Sequence, residues 1–186
     1  MAATETLQIP LGFQAPDFNL PDTISGNDLS LQMLRGKKAS VVMFICNHCP
    51  YVIHVMPQII ALANDFIPRG VSFIAISSND VENYPDDAPD KMKDFAEKYR
   101  FPFPYLYDES QEVAKAYFAA CTPDFSVFDE NLKCVYRGQL DGSRPKNDVI
   151  SDGRDMRAAL NAILNNQPVS EKQIPSIGCN IKWKTA

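Results

Sequence analysis

The sequence predicts an α/β domain in which a mixed sheet is covered by helices on both faces. Three observations lead there. Val41-Val42-Met43-Phe44-Ile45 and Val71-Ser72-Phe73-Ile74-Ala75-Ile76 are continuous apolar runs of strand length, the pattern of strands buried on both sides. A helical stretch from Pro50 to Phe66 lies between them, so strand, helix and strand form a βαβ unit, which sterics make right-handed. Phe125 to Phe128 and Leu132 to Tyr136, joined by Asp129-Glu130-Asn131, read as an antiparallel hairpin that makes the sheet mixed.

The remaining elements follow in chain order. Residues 1–38 are a loop-rich lead-in. Within it Phe18-Asn19-Leu20 and Leu29-Ser30-Leu31 flank the turn residues Asp22, Ser25, Gly26 and Asn27, a short hairpin. Pro57 falls inside the 50–66 helix, where a kink is expected. Residues 78–90 hold five acids, Asp80, Glu82, Asp86, Asp87 and Asp90, with two prolines, and read as a solvated surface loop. Asp90 is placed to cap a helix whose Met92, Phe95, Ala96 and Tyr99 follow a helical stripe. Tyr105-Leu106-Tyr107 is a short strand, and Val113, Ala114, Tyr117 and Phe118 mark the next helix. Met156, Ala159, Leu160, Ile163 and Leu164 mark a final amphipathic helix, and residues 166–186 an extended tail. The whole chain, 1–186, reads as a single domain.

Composition narrows the function. With 23 acidic against 18 basic residues the net charge is −5; no basic stripe supplies a phosphate footprint, so nucleic acid is not an expected partner. The longest apolar run, Val41 to Cys46, is too short to span a bilayer. No basic residue precedes Arg35, and prolines break up the early apolar residues. The expectation is therefore a cytoplasmic protein without membrane partners. In that compartment, paired cysteines more often carry redox chemistry than structural stapling. There are five cysteines, so at least one has no partner within the chain.

The chemistry concentrates in Cys46-Asn47-His48-Cys49-Pro50, at the junction of the first buried strand and the following helix. A cysteine at a helix N-terminus meets unsatisfied N–H groups and the positive end of the dipole, and both favour thiolate. Thiolate is the attacking species in disulfide exchange. The C-x-x-C spacing offers a second sulfur to resolve a mixed disulfide, and a protonated His48 adds positive charge beside Cys49. After a strand and before a helix, this is a redox signature. Zinc ranks below it, because no second ligand pair of recognisable spacing completes four ligands. His54, on the helix, has no comparable context.

The chain resembles the thioredoxin superfamily, and within it the redoxin group of alkyl hydroperoxide reductase and thiol-specific antioxidant proteins. The resemblance is carried by Ala15-Pro16-Asp17-Phe18, by Phe44-Ile45-Cys46-Asn47-His48-Cys49-Pro50-Tyr51-Val52, by Thr122-Pro123-Asp124-Phe125 to Asp129, and by Ser176-Ile177-Gly178-Cys179-Asn180-Ile181-Lys182-Trp183. It implies a thioredoxin-like fold with a central mixed sheet, an N-terminal hairpin extension and a C-terminal tail.

Register within that resemblance assigns the sulfurs. In thioredoxins the first active-site cysteine lies five residues after a strand Phe and eight before the helix-kinking Pro. Here Phe44 to Cys49 is five and Cys49 to Pro57 is eight. Cys49 thus takes the nucleophile position, the second thioredoxin cysteine maps onto Val52, and the buried acid of thioredoxins maps onto Met43. Peroxiredoxins place Pro and Thr seven and three residues before their reactive cysteine. Upstream of Cys49 those positions are Val42 and Cys46; upstream of Cys46 they are Ala39 and Met43. No Arg stands between Ala119 and Tyr136, where the group carries a second catalytic residue, so ordinary peroxiredoxin chemistry is disfavoured. Thr122-Pro123 resembles the cis-proline turn that presents backbone to an incoming peptide.

Several cysteine roles stay open at this point. Cys121, two residues from Pro123, is either a buried small hydrophobe or an alternative resolver to Cys46. Cys179 is either an inert thiol packed with Ile177 and Trp183, the favoured reading, or a mobile third redox cysteine. Cys134 reads as structural.

The resulting expectation is a thiol–disulfide oxidoreductase. Cys49 attacks, Cys46 or Cys121 resolves, His48 tunes and Pro123 shapes the groove. It needs no organic cofactor and no metal. Its partners would be a disulfide-containing protein or a small thiol substrate, an external dithiol as electron source, and, for assembly, a second copy in a homodimer. The alternatives are a peroxiredoxin-like thiol peroxidase and a non-catalytic thioredoxin-fold binding module.

Overall fold

A computed structural model describes residues 3–185. Its centre is a five-stranded sheet of β4 (Ala39–Phe44), β5 (Val71–Ser77), β6 (Tyr105–Tyr107), β8 (Asp124–Asp129) and β9 (Cys134–Tyr136), in the order β6-β5-β4-β8-β9. β4 pairs parallel with β5, and β5 with β6, while β8 runs antiparallel to both β4 and β9. The expected mixed sheet is therefore present. β4 lies in the middle, and all six of its residues are buried, which is why its sequence is an unbroken apolar run rather than an alternating one.

Alternate residues of β4 serve two cores. Val41 and Met43 pack with α2 (Pro50–Phe66), α3 (Pro89–Tyr99) and α5 (Arg154–Leu164) on one face. Val42 and Phe44 pack on the other with the lead-in and hairpin (Phe18, Leu20), with Leu31 of α1 (Leu31–Leu34), and with Ala114 of α4 (Glu112–Ala116). The hairpin strands are β2 (Asn19–Pro21) and β3 (Asp28–Ser30). Leu31, expected to end the second strand, starts α1 instead, because Ser30 caps that helix by accepting from Met33 N. Pro57 sits inside α2, which continues through it for 17 residues in all.

Three expectations are corrected. The tail contains a strand, β10 (Ile177–Asn180), which lies between β1 (Ala3–Glu5) and β7 (Cys121–Thr122) in a second, antiparallel sheet. Strands of two to four residues leave no alternation long enough to read. α3 is capped by Ala88 with Pro89 at its first position, and Asp90 lies within the first turn; proline's fixed φ suits that first position. The acidic segment 78–90 is solvated only in part: Glu82, Asp86 and Asp90 are exposed, but Asn79, Asp80 and Asp87 are buried, and Pro85–Asp87 forms a 3₁₀ turn. An acid-rich stretch looks hydrated locally, but Asp87 turns inward to partners some forty residues upstream in sequence.

Candidate active site

Cys49 is the N-cap of α2, with Pro50 at the first helical position. Cys46 lies in the two-residue gap between the end of β4 and Asn47. Both thiols are sealed from solvent, at 1% and 0% exposure. The strand end and helix start thus hold two sulfurs in a dry site.

The opposite wall is the turn before β8. The Thr122–Pro123 peptide is cis, as the resemblance implied. The pairing of Phe44 with Asp124 brings this turn alongside the end of β4. The Cys49 thiol donates to Thr122 O at 3.2 Å, and Cys46 Sγ stands 3.4 Å from Thr122 Oγ1. Thr122 therefore brackets both sulfurs.

β10 forms the third wall. It pairs with β7 so that Cys179 faces Thr122 and Asn180 faces Cys121. Cys179 Sγ lies 2.9 Å from Cys49 Sγ. The packing expected of Cys179, against Trp183, is corrected: Cys179 is buried against Cys49, and Trp183 is exposed. Nothing local could announce a contact between positions 130 apart.

Asp87 is the residue sequence reasoning missed. Its carboxylate accepts from Asn47 N at 2.8 Å and from Asn79 Nδ2 at 2.7 Å, and its Oδ2 stands 2.8 Å from His48 Nδ1. The contact lacks the alignment of a hydrogen bond and becomes an ion pair when the imidazole is protonated. His48 stacks on Tyr84, with ring centroids 6.0 Å apart, and Lys182 from the tail covers the same Tyr84 ring. Asn47 Oδ1 accepts from the Tyr105 hydroxyl at 3.0 Å. The 46–49 turn is thereby fastened to the 78–90 segment, to β6 and to the tail.

These contacts set the acid–base order. Cys49 is lowered to about 5, chiefly because the Cys46 thiol donates to its thiolate; burial opposes this, and Cys179, the first-turn N–H of Val52 and Thr122 reinforce it. Cys46 is pushed well up by its bond to Cys49, by burial and by the negative charge of Asp87. Cys179 is raised to about 12 by burial and by the Cys49 thiolate beside it. His48 is raised, chiefly by Asp87. For Asp87 burial works upward, but His48, Asn79 and Asn47 outweigh it and hold the carboxyl below its ordinary range. The site thus selects one thiolate, Cys49, and keeps its neighbours protonated.

Cys121 is not brought against Cys49. Its sulfur lies 3.8 Å from Thr6 Oγ1 and donates to Pro123 O at 3.5 Å, and burial pushes its thiol up. Cys134 is likewise buried and raised, to about 12. Arg137, one residue beyond Tyr136, is also buried. Its guanidinium is committed to Leu7 O, Ser126 Oγ and Phe118 O and stands 3.5 Å from Asp124, so it ties the frame together. Cys46 Sγ, His48 Nδ1 and an Asp87 oxygen lie within 4.8 Å of one another, three of the four ligands that structural zinc takes. The carboxylate already serves Asn47, Asn79 and His48.

A strand–helix thiol turn facing a cis-proline can now be compared with known proteins. The AhpC/TSA family model matches residues 11–137. The chain belongs to the AhpC/TSA family. A Mycobacterium tuberculosis protein bearing a provisional peroxiredoxin name is 29% identical over 116 residues, 62% of this chain and 68% of that one. The thiol–disulfide oxidoreductase ResA of Geobacillus thermodenitrificans is 26% identical over 146 residues, 78% of each. Among solved structures, an uncharacterised conserved protein from Geobacillus kaustophilus superposes with a TM-score of 0.98 at 59% identity, over 100% of this chain and 98% of that one. The thioredoxin domain of a Bacteroides vulgatus oxidoreductase superposes at 0.58 and 21% identity, over 70% and 89% of the two chains. The fold of this redoxin is thus thioredoxin-like. None of its helices, among the described residues, is long and apolar enough to cross a membrane.

Proposed function

We propose that this redoxin is a thiol–disulfide oxidoreductase whose nucleophile is Cys49. The observation that carries the reading is a buried sulfur at the N-terminus of α2 whose hydrogen-bond donors hold it near pKa 5. At neutral pH it is thiolate, the form that attacks an oxidised sulfur. Cys46 supplies the strongest of those donors, and the C-x-x-C spacing also offers it as the thiol that breaks the mixed disulfide. Cys121 is the weaker candidate for that step, since its sulfur is engaged elsewhere. His48 joins the site through Asp87, whose carboxylate favours the protonated imidazole beside Cys49. The cis-Pro123 turn closes the opposite wall. Names of relatives on both sides of the family, an oxidoreductase and a peroxiredoxin, fit thiol chemistry in general.

The test is reduction of insulin or of oxidised glutathione with an external dithiol as electron source. The wild type is expected to accelerate the reaction, and Cys49→Ser to return it to the uncatalysed rate. Equal rates for the two proteins would refute the assignment. A thiol peroxidase is the second reading, favoured by the complete burial of Cys49, which admits a small oxidant more readily than a protein. Stopped-flow oxidation by hydrogen peroxide separates the two: a Cys49 no faster than free cysteine removes the peroxidase.

A further inference from the structure

A sheet edge accepts an incoming peptide as an added strand, and β7, beside the cis-proline, has such an edge. Here that edge is filled by the chain itself. β10 lies antiparallel to Cys121–Thr122 and carries β1 on its other side. Ser176 Oγ donates to Pro123 O at 2.8 Å. Gly178 makes the close approach feasible, because a Cβ there would stand 1.9 Å from Thr122 O. Between α2 (Tyr51, Val55), Pro123 and Ile177 only about 10 Å³ of free space remains. The residue this strand offers at the nucleophile is a cysteine, its sulfur 2.9 Å from Cys49 Sγ, within about 1 Å of the covalent S–S separation of ~2.05 Å.

We propose that Cys179, held by β10 in the seat an incoming peptide would take, is the thiol that resolves Cys49, forming an intramolecular Cys49–Cys179 disulfide. The proposal rests on the reading of Cys49 as nucleophile and replaces Cys46 in the second step. In the first step the Cys49 thiolate attacks one sulfur of a disulfide R–S–S–R. Cys49–S–S–R forms, and the first RS⁻ leaves and takes up a proton. In the second, Cys179 gives up its proton and attacks the Cys49 sulfur. The Cys49–Cys179 bond forms and the second thiol, RSH, departs. The substrate gains two electrons and two protons, and the two protein thiols become one disulfide, which an external dithiol returns to the reduced state. The order is built in: burial and the neighbouring thiolate hold Cys179 protonated, and the second of these causes vanishes once Cys49 is capped. Cys46 is left as the donor that stabilises the Cys49 thiolate.

The experiment treats the reduced full-length protein with one equivalent of dithiodipyridine, follows thiopyridone release, and maps the products by mass spectrometry. Wild type should release two thiopyridones per protein and yield a Cys49–Cys179 linked peptide. Cys179→Ser and Cys179→Ala should release one and retain the pyridyl adduct on Cys49, while Cys46→Ser should still release two. A Cys46–Cys49 peptide from wild type, or an adduct that persists in Cys46→Ser but not in the Cys179 variants, overturns the proposal and leaves Cys49 as nucleophile. A Cys46→Ser/Cys179→Ser protein that takes no adduct at Cys49 overturns the nucleophile reading itself. The wild-type map needs no substitution, so a misfolded variant cannot mask the answer.

Discussion

Cys49 at the start of α2 and Cys121 in β7 are both fully shielded thiols on segments that face each other, yet they diverge in acid–base behaviour. Burial penalises thiolate at both. At Cys121 nothing outweighs it: the sulfur meets one hydroxyl and one carbonyl, and Asp124 adds unfavourable negative charge. At Cys49 donors converge from Cys46, Cys179, Val52 and Thr122. What makes a buried thiol acidic here is therefore the donors aimed at it, which outweigh burial at Cys49 and not at Cys121.

The contrast can be attacked in several places. The largest effect is expected from Cys49→Ser, which should abolish disulfide turnover, while Cys121→Ser leaves it largely intact; assaying both side by side checks the pair. Next is pH. Alkylation of native protein by iodoacetamide should follow a midpoint near 5 at Cys49, far below the ordinary thiol value of about 8.5, with Cys121 and Cys134 labelled only on unfolding. The same depression acts on stability. The Cys49 contribution is complete above the unfolded value, about 8.5, and is lost as pH falls through 5, so chemical denaturation of wild type minus Cys49→Ala should show a difference that shrinks in acid.

Removing the strongest donor should pull the two thiols together. In Cys46→Ala the alkylation midpoint of Cys49 should rise, each unit corresponding to about 1.4 kcal/mol of lost preference for thiolate. Gly178→Ala forces a methyl into Thr122 O and should cost about 1–3 kcal/mol in urea denaturation, with Cys49 drifting upward as Cys179 retreats. The smallest change is expected from Asp87→Asn. The His48 titration followed by NMR should move down. The ion-pair part of the stability, present below His48's unfolded value of about 6.5 and lost as pH rises through its raised folded value, should disappear from the acid side of the profile.

How much of this was legible follows from chain distance. The buried strands and the strand–helix turn are local patterns and lie where the sequence indicated, while the cis Thr122–Pro123 corner followed from the family resemblance. Asp87 was hidden because five acids in a row of polar residues look hydrated, and only the fold turns one inward beneath Asn47 and His48. β10 was hidden for a different reason. A four-residue strand has no readable period, and its partners lie near residue 4 and near residue 122. The sulfur contact that completes the site is a product of that pairing.

The distance along the chain between Cys49 and Cys179, 130 positions, has a thermodynamic side. A bond between them would close a loop containing most of the polypeptide. In the chain-entropy picture, loops of about 100 residues remove roughly 5 kcal/mol of freedom from the unfolded ensemble. The redox state of the site would then be written into the melting temperature of the whole molecule, and a calorimeter could read the oxidation of two atoms.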